Sequence, residues 1–211
     1  MPTPKDVRGA TDLPGATPGK QEIDRCRRCE LWQSATQGVP GEGPDTATVV
    51  LVGEQPGNDE DLAGHPFVGP AGRLLRELLF EADVDLKSVY LTNAVKHFHF
   101  EMRGKRRIHK TPTQRHVAAC HVWLEQELAR LKPRVIVTLG ATALVAVLGR
   151  KLAITSARTE HFEHAPTGVP VVATYHPSAL LRVPDERARD ELRALVLQDL
   201  RRAARIAARR G

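Results

Sequence analysis

Polar side chains that could perform acid–base chemistry or bind a polar ligand follow several short apolar runs of the sequence. Glu54 and Gln55 follow one such run, Asn93 ends the next, and His176 follows another. A carboxylate and an imidazole can exchange protons with a bound molecule, and an amide can both donate and accept hydrogen bonds. The alternative interpretation of Glu54 and Gln55 is a purely structural turn.

The segment at 53–57, Gly-Glu-Gln-Pro-Gly, contains two glycines close to the end of an apolar run. Its spacing matches neither the dinucleotide-binding motif nor the triphosphate-binding loop, and it lacks the basic residue that a phosphate loop needs. The sequence therefore predicts no nucleotide cofactor.

Phe67 and His109 each allow two interpretations. Phe67 is either a plug of the core or a platform on which a flat ligand stacks. His109 lies in the basic segment Lys105-Arg-Arg-Ile-His-Lys110, whose cations suit the phosphates of a nucleic acid. His109 is then either one more polar residue of a phosphate-contacting loop, or a base or nucleophile held beside the bound strand.

The three cysteines include a pair, Cys26 and Cys29, with the spacing of zinc and iron–sulfur sites. Two thiolates do not complete a site, so Cys120 and a histidine are the candidates for the remaining ligands. The histidine candidates are His97 first, followed by His99, His116 and His121. Cys120 also lies on an apolar helical stripe, which allows it to be a buried core residue instead.

Four nearly continuous apolar runs predict parallel strands that are covered on both faces. The runs span residues 48–53, 88–93, 134–139 and 169–175. Helical periodicity predicts helices over residues 70–82, 113–131, 140–148 and 184–208. Their alternation predicts an α/β fold, a three-layer α/β/α sandwich with a central, mostly parallel four-stranded sheet. Ligands of such sheets bind beyond the carboxyl ends of the strands, which selects segments 53–57, 93–97, 140–143 and 175–178.

The predicted boundaries describe one domain. Residues 1–20 are rich in proline and glycine and predict a flexible arm, and residues 21–211 predict a single domain ending in a basic helix. The helix at 113–131 is expected to use Thr111 as its N-cap and Pro112 as its first residue.

The charge distribution favours a polyanionic partner. The formal net charge is +6, and two segments are basic: residues 101–116 carry six Lys or Arg and one acid, and residues 182–211 carry nine Arg and five acids. A nucleic acid explains this better than a membrane surface, and a solvated Arg-rich face is the alternative. Without an apolar stretch of membrane-spanning length or a signal sequence, we expect a monomeric cytoplasmic protein that does not contact membranes.

Taken together, these segments resemble the uracil-DNA glycosylase superfamily, specifically its iron–sulfur family 4 enzymes and their UdgX relatives. The resemblance covers residues 21–205 and depends on segments 53–57, 66–72, 92–96, 105–109 and 176–178, preceded by Cys26-x-x-Cys29. Family 4 enzymes have alanine where this chain has Gln55. That difference and the insertion at 105–109 are typical of the UdgX branch.

The resemblance implies a uracil-binding set of Gly53, Gln55, Phe67 and Asn93. Phe67 matches the ring that stacks on a flipped uracil, and Asn93 matches the amide that reads its Watson–Crick edge. An amide can pair with O4 and N3–H of uracil and disfavours cytosine, whose donor and acceptor are reversed. His176 matches the histidine that stabilises charge on the departing uracil.

The resemblance also implies a [4Fe–4S] cluster. Family 4 enzymes hold it with four cysteines, but this chain has His97 where a cysteine is usual, as in the UdgX relatives. The implied ligands are therefore Cys26, Cys29, Cys120 and His97, and the implied role of the cluster is structural.

The implied chemistry is excision of uracil from DNA, with single strands preferred. His109 matches the histidine that captures C1′ of the sugar and stays bound to the DNA, while Glu54 stabilises the cationic sugar or accepts a proton. The residues expected to contact DNA are Lys105, Arg106, Arg107, Lys110 and Ser178. The alternatives are a family 4-type enzyme that turns over and a nucleic-acid-binding module without catalytic activity.

Overall fold

Strands and helices alternate along the chain in the computed structural model, which describes residues 19–209. The strands are β1 (Val49–Gly53), β2 (Val89–Asn93), β3 (Phe100–Arg103), β4 (Arg106–His109), β5 (Val135–Leu139), β6 (Phe162–His164) and β7 (Val169–Thr174). The α-helices are α1 (Lys20–Asp24), α2 (Asn58–Ala63), α3 (Pro70–Glu81), α4 (Gln114–Leu131), α5 (Ala141–Leu148), α6 (Ile154–Ala157) and α7 (Glu186–Arg209). Short 3-10 helices span Glu30–Gln33, Leu86–Ser88 and Pro177–Arg182.

The central sheet has five strands in the order β2-β1-β5-β7-β6. The first four strands run parallel to their neighbours, and β6 pairs antiparallel with β7. The mostly parallel sheet predicted from the sequence is therefore confirmed, with one strand more than the four expected. Strand β6 has only three residues, of which Phe162 and His164 are buried, and so short a segment gives no detectable apolar run.

Alternate side chains of β1 enter two separate cores. Val50 and Val52 pack into a core that includes residues of α4 and α5, whereas Val49 and Leu51 pack into a core with residues of α3 and α7. Because a β-strand points successive side chains to opposite faces, helices must cover both faces of this apolar strand. This arrangement confirms the three-layer architecture.

Strands β3 and β4 form a separate antiparallel hairpin in which Phe100 pairs with His109. Its turn contains Gly104, whose φ of +60° suits a residue without Cβ. The sequence interpretation of segment 105–110 as a loop is wrong for residues 106–109, which form β4. The error arises because this polar strand pairs only with β3 and therefore lacks a buried apolar pattern.

The N-cap of helix α4 lies two residues later than the predicted N-cap. The Thr113 hydroxyl accepts a hydrogen bond from the His116 N–H at 3.3 Å, and His116 Nδ1 accepts one from the Thr113 N–H at 3.2 Å. Thr113 is thus the N-cap, and the prediction of Thr111 is wrong. The reciprocal bond is made by a histidine instead of the usual Glu or Gln, so the sequence pattern did not reveal it.

The structure describes the C-terminal end of the chain almost completely, but the N-terminal end only from residue 19. Residues 1–18 of the predicted flexible arm lie outside the described residues, and α1 already begins at Lys20. At the other end, α7 has 24 residues and carries the arginines of the predicted basic helix. Within residues 19–209, no helix combines the length and apolar character needed to cross a membrane.

A buried ion pair joins α4 to the loop after β2. Lys96 Nζ lies 2.7 Å from Glu127 Oε2, and both side chains are 0 % exposed. Lys96 also donates to the Thr92 hydroxyl at 2.6 Å and to the Asn93 carbonyl at 3.0 Å. The Gly41 N–H donates to the other Glu127 oxygen at 3.0 Å. These bonds satisfy both charges and fix the backbone of Asn93.

Replacing the buried carboxylate should destabilise the fold strongly. In Glu127→Gln, the Lys96 ammonium stays buried without its anion, so we expect the free energy of unfolding to fall by about 3–5 kcal/mol. Urea denaturation followed by circular dichroism measures the change. The matched control is Glu77→Gln on the exposed face of α3, where a loss below about 0.5 kcal/mol is expected. Equal losses in the two variants would contradict the importance of the ion pair.

Candidate functional site

A cavity of about 870 Å³ opens at the carboxyl ends of the parallel strands. Its lining includes Glu54, Phe67, Asn93, His109 and His176. Glu54 follows β1, Asn93 ends β2, His109 ends β4, and His176 lies two residues after β7. The structure therefore brings together residues that are far apart in the sequence, at the edge of the sheet where ligands of such folds bind.

The Glu54 carboxylate lies between α5 and the hairpin. One oxygen, Oε2, accepts a hydrogen bond from the Thr142 hydroxyl, and Oε1 lies 3.3 Å from His109 Nε2. Burial raises the pKa of Glu54, but the hydrogen bonds from His109 and Thr142 and the charges of His109 and His176 outweigh this, so the pKa falls below its usual value. A carboxylate anion thus stands beside an imidazole in the cavity.

His176 presents a neutral imidazole to the cavity. Its Nδ1 accepts a hydrogen bond from the Ser178 N–H at 3.2 Å and lies 2.8 Å from the Ser178 hydroxyl. Because a backbone N–H can only donate, this bond assigns the ring proton to Nε2. Burial lowers the pKa of His176 to about 4 against the opposing charge of Glu54, so the ring is neutral at pH 7.

Because Gly53 has no side chain, the Phe67 ring and the Asn93 amide can both pack closely against the end of β1. A Cβ at this position would lie 2.4 Å from Asn93 Oδ1 and 2.7 Å from Phe67 Cζ. The Phe67 ring also stacks on His176, with 6.3 Å between ring centroids and an interplanar angle of 25°. Asn93 is 3 % exposed, and in the hydrogen-bonding network of residues 19–209 its side-chain amide has no partner. The amide is therefore available to a ligand that stacks on Phe67.

The backbone of Phe67 is held in an unusual conformation. Its φ is +56°, a left-handed value that is costly for a residue with a side chain. Arg76 Nη1 donates to the Phe67 carbonyl at 2.7 Å. A Cβ at Gly72 would lie only 1.7 Å from that carbonyl oxygen, so the first turn of α3 requires glycine there. Helix α3 thus holds the ring in the cavity.

Gln55 binds the hairpin instead of facing the cavity with its amide. Its Nε2 donates to the carbonyls of His99 at 3.1 Å and Lys110 at 3.2 Å, and its Oε1 accepts from the His99 N–H at 2.9 Å. The side chain therefore joins the two ends of the hairpin to β1. Gln55 is also among the residues that line the cavity, so its expected contact with uracil stays a prediction.

Arg107 is also used within the molecule. Its guanidinium lies 2.6 Å from the buried carboxylate of Asp61 and donates to Asn58 Oδ1 at 2.9 Å. It also packs over the rings of Phe98 and Phe100. These contacts attach the hairpin to α2, and the expected contact of Arg107 with DNA stays a prediction.

The other residues expected to contact DNA fall into two groups. Lys105, Arg106 and Lys110 are exposed, and none of them forms an ion pair with an acid in the part of the chain that the structure describes. Ser178 instead binds the His176 ring with its N–H and hydroxyl. The hairpin cations can meet an anionic ligand, whereas the Ser178 side chain orients a histidine of the cavity.

The three cysteines lie beside or within α4: Cys120 belongs to the helix, Cys29 contacts Cys120, and Cys26 contacts Trp123 of the same helix. The interaction with the neighbouring Cys120 thiol lowers the pKa of Cys29 to about 6, and the same interaction together with burial raises the pKa of Cys120. Trp123 Nε1 lies 3.4 Å from Cys26 Sγ. His97 is buried in the loop after β2 and does not line the cavity.

These donors fit a cluster site only in part. Their chemistry is suitable, since thiolates are the ordinary ligands of iron–sulfur clusters. Nevertheless, across residues 19–209 no group of three or more His, Cys, Asp or Glu side chains is arranged to hold a metal ion. The lesser candidates have other contacts: His99 meets the Thr111 carbonyl, His116 bonds Glu30, and His121 lies beside Glu125.

Two residues with clear roles in this geometry were missed from the sequence. Segment 140–143 was placed at the correct edge of the sheet, but Thr142 was given no role there. The contact between Asp61 and Arg107 joins residues 46 positions apart, and no local pattern indicates it. Both interactions are visible only once the elements are packed.

Comparisons with known proteins agree with this geometry. The model of the uracil DNA glycosylase superfamily matches residues 40–201. A type-4 uracil-DNA glycosylase of Thermotoga maritima is 40 % identical over 184 residues, covering 87 % of this chain and 90 % of that protein. One of Archaeoglobus fulgidus is 36 % identical, covering 79 % and 83 %, and a type-5 uracil-DNA glycosylase of Pyrobaculum aerophilum is 34 % identical, covering 76 % and 74 %.

Removing the Arg107 guanidinium should loosen the hairpin. In Arg107→Ala, the hairpin loses its bonds to Asp61 and Asn58, and amide exchange in segment 98–110 should accelerate about tenfold to a hundredfold. Hydrogen–deuterium exchange followed by mass spectrometry measures this. Arg106→Ala changes an exposed residue of the same strand and should leave the exchange rate unaltered. An equal change in both variants would contradict a specific attachment by Arg107.

Proposed function

Because the chain belongs to the uracil-DNA glycosylase superfamily, we propose that it removes uracil from DNA by breaking the bond between the base and its deoxyribose. One observation carries the proposal: four groups line the same cavity. They are an aromatic ring on which a base can stack, a side-chain amide without a hydrogen-bond partner in residues 19–209, a neutral histidine and a carboxylate. These groups are Phe67, Asn93, His176 and Glu54. Phosphate binding alone requires none of them.

The proposed recognition of uracil uses Phe67 and Asn93. A uracil extruded from the DNA stacks on the Phe67 ring, and the Asn93 amide donates to O4 and accepts from N3–H. Cytosine presents a donor and an acceptor in the reverse order, so the same amide orientation rejects it. Extruding a base costs least from a single strand, which favours single-stranded substrates.

In the proposed cleavage, His176 stabilises the negative charge on the departing base, and Glu54 stabilises the positive charge on the sugar. The bond from C1′ to N1 breaks, and its electron pair leaves with uracil. The neutral His176 ring donates from Nε2 to the base as negative charge develops there, an interaction whose removal typically costs about 10²–10³ in rate. The Glu54 anion stabilises the positive charge that develops on the sugar.

Capture of the sugar by water gives an enzyme that turns over. A water molecule adds to C1′, and its proton passes to Glu54, which leaves a free abasic site. The similarity to type-4 uracil-DNA glycosylases over most of the chain supports this outcome. Uracil then leaves after taking a proton from solvent.

A second candidate outcome, covalent capture by His109, is favoured by the position of that ring in the cavity. His109 Nε2 lies 3.3 Å from Glu54 Oε1. In this outcome one ring nitrogen forms a bond to C1′, and the proton on the other nitrogen passes to Glu54. The protein would then remain attached to the abasic site after a single turnover.

We further propose that Cys26, Cys29 and Cys120, with His97, hold a [4Fe–4S] cluster. The contacts of Cys29 with Cys120 and of Cys26 with Trp123 support this, because they bring the sulfurs to the same helix. The cluster would serve as a structural clamp between the N-terminal segment and α4. None of the catalytic steps proposed above involves it.

The proposed contacts with the DNA backbone come from the exposed cations of the hairpin, Lys105, Arg106 and Lys110. The positive charges of these side chains would position DNA phosphates near His109 without distinguishing one base sequence from another. We also propose that the protein acts as a monomer.

A single gel assay tests excision and the means of capture. The protein is incubated with a labelled single-stranded oligonucleotide containing one uracil, and the products are separated on a denaturing gel with and without alkali. We expect wild type to act on the uracil, and Asn93→Ala to reduce excision by about a hundredfold or more because the Watson–Crick edge is no longer read.

The form of the product separates the two outcomes. Alkali-labile DNA without a shifted band indicates capture by water, whereas a band shifted by the mass of the protein, absent in His109→Ser, indicates covalent capture. Binding without any change to the DNA, equal in wild type and Asn93→Ala, would overturn the glycosylase proposal and favour a non-catalytic binding module.

The cluster is tested by iron analysis. We expect protein purified without oxygen to be brown and to contain iron and acid-labile sulfide, and Cys29→Ser to lose both. Arg28→Ala, which changes the neighbouring residue without removing a ligand, is the matched control. Colourless wild-type protein without iron would contradict the cluster.

A further inference from the structure

Within residues 19–209, Thr142 is the one hydrogen-bonding partner of the Glu54 carboxylate that the proposed reaction does not use. Its hydroxyl donates to Glu54 Oε2, while His109 approaches Oε1. We infer that Thr142 is a positioning residue that holds the Glu54 carboxylate so that Oε1 faces His109 and the sugar. This inference rests on the proposed function of Glu54.

The place of Thr142 is fixed by the backbone. It lies in the first turn of α5, directly after the turn at Gly140. Gly140 has a φ of +90°, and its N–H donates to the Thr174 carbonyl of β7 at 2.9 Å. A threonine is also stiff at χ1, because its Cβ is branched. The backbone just before Thr142 is therefore bonded to β7, the strand that leads to His176.

The other partner of Glu54 is held less firmly. The His109 side chain is 48 % exposed and lies at the end of a hairpin that is attached through Gln55 and Arg107. Glu54 itself has three rotatable side-chain bonds. A donor on the body of the protein is needed to keep the carboxylate in one orientation while His109 or water reacts.

The contact also affects the charge of Glu54. The hydrogen bond from Thr142 stabilises the anion and helps to lower the pKa of Glu54, whose titratable neighbours are His109 on β4 and His176 after β7. Without this bond, Glu54 binds a proton at a higher pH. The rate that depends on the anion is then lost at a higher pH as the solution is acidified.

Loss of the Thr142 hydroxyl should affect the chemistry at the sugar and not the binding of the base. The groups assigned to the base, Phe67 and Asn93, form no hydrogen bond with Thr142 anywhere in residues 19–209. Loss of the Thr142 hydroxyl should therefore lower the rate of the chemical step and leave the affinity for uracil-containing DNA nearly unchanged. A defect in folding would instead lower the stability of the protein and impair both.

The test compares Thr142→Val, which keeps the shape but loses the hydroxyl, with Thr142→Ser, which keeps the hydroxyl. Single-turnover excision is measured across pH, alongside DNA affinity and thermal unfolding. We expect Thr142→Val to react about ten to a hundred times more slowly, with its acid limb at higher pH and its affinity within about twofold. Thr142→Ser should restore most of the rate and the acid limb.

A measurement without substrate keeps this inference separate from the proposed function. Carbon-13 NMR of labelled glutamate carboxyl groups follows the titration of Glu54, identified by its absence in Glu54→Gln. Thr142→Val should raise the pKa of Glu54, and Thr142→Ser should not. Unchanged titration in Thr142→Val, or equal loss of rate in both variants, would overturn the inference. Absence of excision by wild type, with the NMR effect present, would overturn only the proposed function.

Discussion

The close packing at the carboxyl end of β1 determines the arrangement of the whole site. Three consecutive residues there together contact the neighbouring strand, the segment before α3, a helix and the hairpin. Gly53 lets β2 and the segment before α3 approach, Glu54 contacts α5 and β4, and Gln55 binds both ends of the hairpin. Because β1 lies inside the sheet and is buried along its whole length, these contacts start from the end of a firmly held strand.

Two titratable groups of this site, Glu54 and His176, have different charge states at neutral pH, and the causes differ. Glu54 is surrounded by donors and stays an anion, whereas the ring of His176 is buried, bonded through Nδ1 by a backbone N–H, and stays neutral. A pair whose pKa values are both lowered, for different reasons, can stabilise positive charge at one place and donate a hydrogen bond at another. The cavity thus offers complementary electrostatics on either side of a breaking bond.

The sequence was informative where burial leaves a regular pattern. The four parallel strands and the helices that cover them were predicted closely, because apolar periodicity records which faces pack inward. The same sheet rule placed Glu54, Asn93 and His176 at one edge. Strand β6 escaped prediction because it is so short, and the hairpin escaped because it depends on contacts made by single side chains, such as Arg107 with Asp61. Thr142 was missed for the same reason: nothing in the local sequence shows that Glu54 lies beside it.

The attachment of the hairpin implies that it is not a self-contained module. Its ends are held by Gln55, and its second strand is held through Arg107 by Asp61 and Asn58, three residues that lie outside the hairpin itself. Without Gln55, the hairpin would keep its histidine but lose the anchor of its two ends. In protein engineering, the hairpin and its distant anchors must therefore be transferred together for His109 to occupy a defined position.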